Sequence, residues 1–165
     1  MNLIIFGPPG AGKGTQADFI VKKYNLFQLS TGELLRSEIK NKTALGIKIS
    51  SAINGGSLVS DDIVKKLVEI FISNEKYKDR LIFDGYPRNL IQAKTLNELL
   101  RQHNQKIDLV LKLSVSLDII KKRILERRTL EKRSDDSEEI AIKRYKTYEK
   151  STEPVIEYYK KLNLL

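Results

Sequence analysis

A glycine-rich loop, residues 7–13, lies between an apolar run of strand length and a helical pattern, and it constrains the fold more than any other feature. Leu3–Phe6 before the loop predicts a buried strand, and residues 12–24 predict the following helix. Glycines let the backbone N–H groups of such a loop approach phosphate oxygens that a Cβ would keep away. The helix N-terminus and Lys13 add positive charge. The loop therefore predicts phosphate binding, the alternative being a turn that only connects strand to helix.

Apolar runs and helical stripes alternate along the rest of the chain. Strands are predicted at residues 3–6, 26–29, 81–84 and 109–113, and helices at 12–24, 31–40, 43–53, 60–72, 89–101, 116–128 and from 137 onward. Ser60 is predicted to cap the helix at 60–72, a polar break is predicted at 129–134, and Pro154 is expected to kink or split the last helix. This order predicts one α/β domain with a parallel sheet covered on both faces, and ligands at the carboxyl ends of its strands.

Composition narrows the choice of partner and compartment. The 30 Lys and Arg residues exceed the 21 Asp and Glu residues, and the net charge of +9 calls for an anionic partner such as nucleic acid, an acidic membrane or a nucleotide. No apolar run approaches the roughly 18 residues of a membrane span, and residues 1–10 lack the basic region of a secretory signal. The chain has no cysteine, which favours a reducing cytosol. We expect a cytoplasmic protein without a membrane partner.

A second group of residues follows the third predicted strand. Asp84 closes that strand and is followed by Gly85, Tyr86, Pro87 and Arg88. A carboxylate at a strand end beside a phosphate loop is placed to hold Mg²⁺ or its waters, and Arg88 would project a planar cation into the same crevice. A plain strand-end turn is the alternative.

Three segments together resemble the adenylate kinases: GPPGAGKGTQ at residues 7–16, STGELLR at 30–36, and DGYPR at 84–88 followed by Gln92. Gly14 stands where phosphate loops usually have Ser or Thr, and the Gly14-Thr15 pair is the form that this family uses. The resemblance runs from residue 1 to about residue 161. It implies a P-loop NTPase three-layer fold with a central parallel sheet, a helical AMP-binding insertion at about 30–59 and a short lid at about 128–135. It also implies the Mg²⁺-dependent reaction ATP + AMP ⇌ 2 ADP.

The resemblance assigns roles to individual residues. The residues around the ATP phosphates would be Gly10, Ala11, Gly12, Lys13, Gly14, Thr15 and Arg127. Those that bind AMP would be Thr31, Arg36, Ser57, Leu58, Val59, Gly85, Tyr86, Pro87, Arg88, Gln92, Arg133 and Arg144. The catalytic cations would be Lys13, Arg88, Arg123, Arg127, Arg133 and Arg144. Asp84 and Thr15 would hold Mg²⁺ through water. Arg123 and Arg127 are one helical turn apart, so they share a face, as a group of bidentate cations around phosphoryl oxygens requires.

Two alternatives remain at this point, a UMP/CMP kinase and a basic nucleic-acid-binding domain. Thr31 and Gln92 favour adenine, because UMP/CMP kinases resemble this pattern but usually carry Ala and Asn there. Only residues 129–132 separate Arg128 from Arg133, so the lid is short, and without cysteines no structural zinc is expected. The family normally continues with a fifth strand and a C-terminal helix beyond the point where this sequence stops, so the sequence is either truncated there or naturally shorter. We expect a monomer that binds ATP, AMP and ADP and no specific nucleic acid.

Overall fold

The computed structural model describes residues 1–131 and 136–165. Within them, four strands form one parallel sheet in the order β2-β3-β1-β4. The strands are β1 (Leu3–Phe6), β2 (Phe27–Ser30), β3 (Leu81–Asp84) and β4 (Leu109–Lys112). In the register of the sheet, Ile4 of β1 pairs with Phe83 on one side and with Val110 on the other. The predicted parallel α/β architecture is confirmed.

Eight α-helices connect or follow these strands within the described residues. They are α1 (Lys13–Tyr24), α2 (Thr31–Lys40), α3 (Ala44–Asn54), α4 (Asp61–Ile72), α5 (Leu90–Gln102), α6 (Leu117–Glu131), α7 (Glu138–Thr147) and α8 (Glu153–Lys161). A 3₁₀ turn, Glu75–Tyr77, follows α4, and a π-helical turn, Tyr148–Thr152, joins α7 to α8. No helix in these two stretches of chain has both the length and the apolarity to cross a membrane.

The inner strands β1 and β3 are buried on both faces, as is usual in a parallel sheet, whereas the edge strand β4 is partly exposed. Successive strand residues point to opposite faces. Ile4 and Phe83 therefore join a large apolar cluster that includes residues of α4, α5 and α8. Ile5 and Ile82 face the other way and pack with Ala17 of α1. This arrangement places the carboxyl ends of β1 and β3 side by side, so the loops that follow them lie together.

The structure corrects the predicted polar break at 129–134. Helix α6 continues to Glu131, so residues 129–131 are helical, and residues 132–134 of the predicted break lie outside the described part of the chain. The Thr129 hydroxyl donates to the Leu125 carbonyl oxygen at 3.2 Å, which satisfies this polar side chain inside the helix. Four residues of the expected lid at 128–135 are therefore helical.

Two expectations about helix ends have different outcomes. Ser60 stands at the N-cap position of α4, as predicted, but its side chain makes no capping hydrogen bond. Asp61 and Asp62 instead place negative charge in the first turn, where the helix dipole favours it. The last long helix is split, as predicted, but by the π-helical turn ahead of Pro154. Pro154 lies in the first turn of α8, where its missing N–H removes no helical hydrogen bond.

Candidate active site

A cleft of about 750 Å³ opens at the carboxyl ends of β1 and β3. Its walls come from the glycine-rich loop, α2, the segment after β3, α6, α7 and the π-helical turn. Ligands of open parallel sheets are expected at this edge. Six cationic side chains and three carboxylates line the described part of the cleft. The cations are Lys13, Arg36, Arg88, Arg123, Arg127 and Arg144, and the carboxylates are Glu33, Asp84 and Glu126.

The glycine-rich loop is held tightly beneath α6. Gly10 has a φ of +80°, and a Cβ there would lie 3.1 Å from Ile124 Cγ1 and 3.3 Å from the Ile120 carbonyl oxygen. The loop closes through a hydrogen bond from the Ala11 N–H to the Pro8 carbonyl oxygen at 3.1 Å. Glycine at position 10 therefore permits both the left-handed backbone and the close approach of α6.

Lys13 folds back onto its own loop. Its Nζ donates to the Gly7 carbonyl oxygen at 2.8 Å and to that of Pro8 at 3.1 Å. Burial in the cleft, together with the nearby positive charges of Arg88 and other arginines, lowers the pKa of Lys13 to about 8, and Asp84 partly opposes this change. The ammonium group is thus poorly compensated here, and an anion bound at the loop would stabilise it.

Asp84 lies at the carboxyl end of β3, in the floor of the cleft. It is 7% exposed, and its Oδ2 accepts a hydrogen bond from Gln28 Nε2 at 2.9 Å. Thr15, in the first turn of α1, lines the same cleft. A hard carboxylate oxygen and a hydroxyl are donors that suit Mg²⁺, which usually keeps several waters and takes further oxygens from phosphates. The residues present therefore fit the expected magnesium site.

Arg88 is held through its side chain and both of its backbone groups. Its Nε donates to the Gly85 carbonyl oxygen at 2.7 Å, and its backbone N–H donates to Gln92 Oε1 at 2.7 Å. Its carbonyl oxygen accepts from the Thr152 hydroxyl at 3.0 Å. Burial and then the charge of Arg144 lower the pKa of the Arg88 guanidinium to about 10. The guanidinium is therefore positioned in advance in a site that is short of negative charge.

The arginines of α6 have different partners. Arg123 Nη1 donates to the carbonyl oxygen of Ala11 at 3.2 Å and so contacts the glycine-rich loop. Arg127 donates from Nε and Nη2 to the two carboxylate oxygens of Asp136, at 2.7 and 2.6 Å. Arg144 Nη1 lies 3.8 Å from the same carboxylate. Asp136 thus links α6 to α7 at the cleft.

Most of the residues predicted for the site line the cleft, and four do not. Those that do are Gly10, Ala11, Gly12, Lys13, Gly14, Thr15, Arg36, Leu58, Asp84, Gly85, Tyr86, Pro87, Arg88, Arg123, Arg127 and Arg144. Thr31 is buried and donates to the Gly85 carbonyl oxygen at 2.9 Å, Val59 packs in the core, and Ser57 is exposed. Gln92 is 3% exposed and lies behind Arg88. Arg133 lies outside the described residues. The roles assigned to all of these residues, those that line the cleft included, stay predictions.

Several cleft residues were missed by sequence reasoning. Glu126 and Leu130 line the cleft with Arg123 and Arg127. Each lies three residues after one of these arginines, a helical spacing from which their position could have been predicted. Thr147, Tyr148 and Thr152 also line the cleft. The π-helical turn determines which way these three residues face, and no pattern in the sequence indicates such a turn.

Comparison with known proteins agrees with this geometry. A family model described as adenylate kinase matches residues 5–164. A relative named adenylate kinase from Pelagibacter ubique is 51% identical over 187 aligned residues, covering 98% of this chain and 88% of its own length. One from Fusobacterium nucleatum is 41% identical over 185 residues, covering 99% and 88%. One from Prochlorococcus marinus (strain MIT 9301) is 46% identical over 166 residues, covering 99% and 87%.

These alignments differ in length. This chain has 165 residues, so the Pelagibacter alignment must include segments that the chain lacks, whereas the Prochlorococcus alignment needs almost none. The comparisons favour an adenylate kinase over a UMP/CMP kinase and over a nucleic-acid-binding domain. The motif resemblance, the parallel α/β fold, the cationic cleft and these matches agree, and the chain belongs to the adenylate kinase family.

Proposed function

We propose that this chain transfers the terminal phosphoryl group of ATP to AMP, giving two ADP, in the cleft at the carboxyl ends of β1 and β3. The observation that carries the proposal is the meeting of the phosphate loop, Asp84 and six cationic side chains in that single cleft. Bringing two polyphosphate anions into contact is opposed by their mutual repulsion. Cations fixed around the phosphates offset that repulsion and stabilise the charge that develops on the transferred group.

On the donor side, residues 10–15 and the N-terminus of α1 would bind the ATP phosphates through backbone N–H groups. Lys13 would leave the carbonyl oxygens of Gly7 and Pro8 and bind the transferred group. Arg123 already contacts the loop through Ala11, and Arg127 would add a second cation from the same helix. These cations hold the phosphates in position, which is most of what phosphoryl transfer needs from a protein.

On the acceptor side, Arg36, Arg88 and Arg144 would bind the AMP phosphate, and Arg133 would join them. Leu58 and the backbone of residues 57–59 would line the base pocket, and Gly85, Tyr86 and Pro87 would complete the wall. Thr31 would act by holding the Gly85 carbonyl oxygen. The Gln92 carboxamide, which offers both a donor and an acceptor, would read the adenine edge. Residues 30–59 would form the AMP-binding insertion.

Asp84 and Thr15 would hold Mg²⁺ through water beside the phosphates. When bound, the ion neutralises phosphate charge and orients the ATP chain. Asp84 supplies the carboxylate, and the hydrogen bond from Gln28 fixes its orientation. Among residues 1–131 and 136–165 no group of three or more His, Cys, Asp or Glu forms a complete metal cage. A partial donor set of this kind suits an ion that arrives with its nucleotide.

No general base is needed, because the AMP phosphate is already an anionic nucleophile. The protein must instead exclude water, which would otherwise accept the phosphoryl group. We assign this task to the AMP-binding insertion and to a short lid at about 128–135. We further propose that the enzyme acts in the cytoplasm, which the absence of cysteine supports. We also propose that it is a monomer.

A coupled assay of ADP formation from ATP and AMP tests this function. We expect turnover that needs Mg²⁺ and that is lost in both Lys13→Met and Arg88→Ala. Full activity in both variants would show that the site is wrongly assigned. Size-exclusion chromatography with light scattering tests the monomer separately.

A further inference from the structure

The carboxamide of Gln92 is held at both ends by hydrogen bonds inside the protein. Its Nε2 donates to Asp61 Oδ1 at 2.7 Å, and its Oε1 accepts from the backbone N–H of Arg88 at 2.7 Å. Only 3% of Gln92 is exposed. Its position therefore depends on a residue of α4, 31 positions earlier in the chain.

The chemistry of these two partners permits only one orientation of the carboxamide. A carboxylate accepts hydrogen bonds and cannot donate them, so the Nε2 end must face Asp61. A backbone N–H donates and cannot accept, so the Oε1 end must face Arg88. Rotating the carboxamide by 180° would bring two acceptors together at Asp61 and two donors together at Arg88. Both contacts would then be lost in a nearly dry environment.

Asp61 is itself held in place. The Asn89 side chain donates from Nδ2 to the two Asp61 carboxylate oxygens at 3.1 and 3.2 Å. Asn89 also caps α5, because its Oδ1 accepts from the Gln92 N–H at 2.8 Å. The starts of α4 and α5 are thus joined through one carboxylate. Asp61 lies in the first turn of α4, where the helix dipole favours its negative charge.

We propose that Asp61 is a positioning residue that determines base specificity by fixing the orientation of the Gln92 carboxamide. This inference rests on the proposed function, in which Gln92 reads the base of the acceptor nucleotide. Adenine presents a donor at its 6-amino group and an acceptor at N1. Hypoxanthine has the same shape with the reverse pair, an acceptor at O6 and a donor at N1. A carboxamide fixed in one orientation matches adenine and leaves the groups of hypoxanthine unpaired.

The same contacts connect Asp61 to the phosphate end of the acceptor site. Gln92 holds the Arg88 N–H, and Arg88 projects into the cleft. The hydrogen bonds described above join Asp61, Asn89 and Gln92 to one another and to Arg88, and none of these bonds involves the glycine-rich loop. Substitutions at Asp61 should therefore change kcat/KM for the acceptor nucleotide and leave the KM for ATP unchanged.

The test compares AMP with inosine monophosphate, whose base is hypoxanthine, as acceptors for the parent, Asp61→Ala, Asp61→Asn and Asp62→Ala. Asp62→Ala is the matched control, because Asp62 is the neighbouring exposed acid in the same helical turn. In Asp61→Ala we expect the ratio of kcat/KM for AMP to that for inosine monophosphate to fall by about tenfold, as for the loss of one well-made hydrogen bond. Asp61→Asn keeps an acceptor oxygen and should retain most of the ratio, and Asp62→Ala should retain all of it.

A parallel NMR measurement reports the orientation of Gln92 without catalysis. The side-chain amide protons of Gln92, assigned with Gln92→Glu, should show one proton shifted downfield by the carboxylate in the parent and in Asp62→Ala. That shift should disappear in Asp61→Ala. Its absence in the parent would overturn the proposal even if Asp61→Ala fails to fold. An unchanged ratio in folded Asp61→Ala, or an equal fall in Asp62→Ala, would also overturn it. A parent that fails to phosphorylate AMP would instead refute the proposed function.

Discussion

The Arg127 guanidinium binds both carboxylate oxygens of Asp136, at 2.7 and 2.6 Å, and Asp136 is 1% exposed. This pair joins the C-terminal part of α6 to Asp136, two residues before α7, and so it spans the base of the proposed lid. Arg144 Nη1 lies 3.8 Å from Oδ1 of the same carboxylate. Asp136 therefore holds two arginines of the cleft in place before any phosphate binds.

Replacing Asp136 with Asn should destabilise the fold. The substitution turns one accepting oxygen into an NH₂ group that faces a guanidinium, in a buried site. We expect the free energy of unfolding to fall by about 1–3 kcal/mol. Urea denaturation measures this change, with Asp118→Asn, an exposed acid of α6, as a control expected to stay within about 0.5 kcal/mol. Equal stability of the two variants would show that the Arg127–Asp136 pair contributes nothing.

Replacing Lys13 with Met should abolish most catalysis without weakening the fold. The variant loses the cation proposed for the transferred group, and kcat should fall by about 100-fold or more. Removing a buried charge whose pKa is already lowered should leave the melting temperature equal or slightly higher. The coupled ADP assay and a thermal melt check the two parts. A large loss of stability would mean that Lys13 is structural, through its bonds to Gly7 and Pro8.

Nucleotide binding should take up a proton at mildly alkaline pH. The pKa of unliganded Lys13 is about 8, so at pH 8 about half of the molecules carry the neutral amine. A bound polyphosphate stabilises the charged form and raises this pKa, so binding draws a proton from the buffer. Affinity for ATP should then fall as the pH rises above 8. Calorimetry in buffers of different ionisation enthalpy measures the uptake, and Lys13→Met should show much less of it. Equal uptake in the variant would assign the proton to another group.

Replacing Arg88 with Lys should lower the efficiency with which AMP is used, although the positive charge is retained. Lysine cannot donate to the Gly85 carbonyl oxygen while presenting a planar pair of donors to a phosphate. We expect kcat/KM for AMP to fall by about 100-fold, with a smaller change in the KM for ATP. Steady-state kinetics with AMP and ATP varied in turn check this, with Arg101→Lys, at an exposed position of α5, as the control. Full kcat/KM for AMP in Arg88→Lys would contradict this prediction, because it would show that only the positive charge at position 88 matters.

The features that were predictable from the sequence are local ones. The phosphate loop and the segment from Asp84 to Arg88 each depend on a few consecutive residues between recognisable elements, so their positions at the strand ends followed from the apolar runs. The contact from Thr152 to Arg88 joins residues 64 positions apart, and it depends on a π-helical turn that no periodicity indicates. The contact between Asp61 and Gln92 depends likewise on how α4 packs on α5.

The C-terminal end of α6 was predicted too early because polar residues there were interpreted as a break in the helix. Thr129 looked like part of a break, but its hydroxyl bonds back to the Leu125 carbonyl oxygen, and the helix continues to Glu131. A hydroxyl can be satisfied inside a helix or outside it with similar energy, so composition alone does not decide between the two. Ser60 illustrates the converse, because a good capping residue at the right position makes no capping bond.

The most direct test of the proposed function is a comparison of acceptors. Initial rates of nucleoside diphosphate formation are measured with AMP, CMP and UMP under identical ATP and Mg²⁺ concentrations. An adenylate kinase with Gln92 held by Asp61 and Arg88 should give the highest kcat/KM with AMP and at least about tenfold less with either pyrimidine nucleotide. A higher rate with CMP than with AMP, or no phosphoryl transfer to AMP at all, would contradict the assignment.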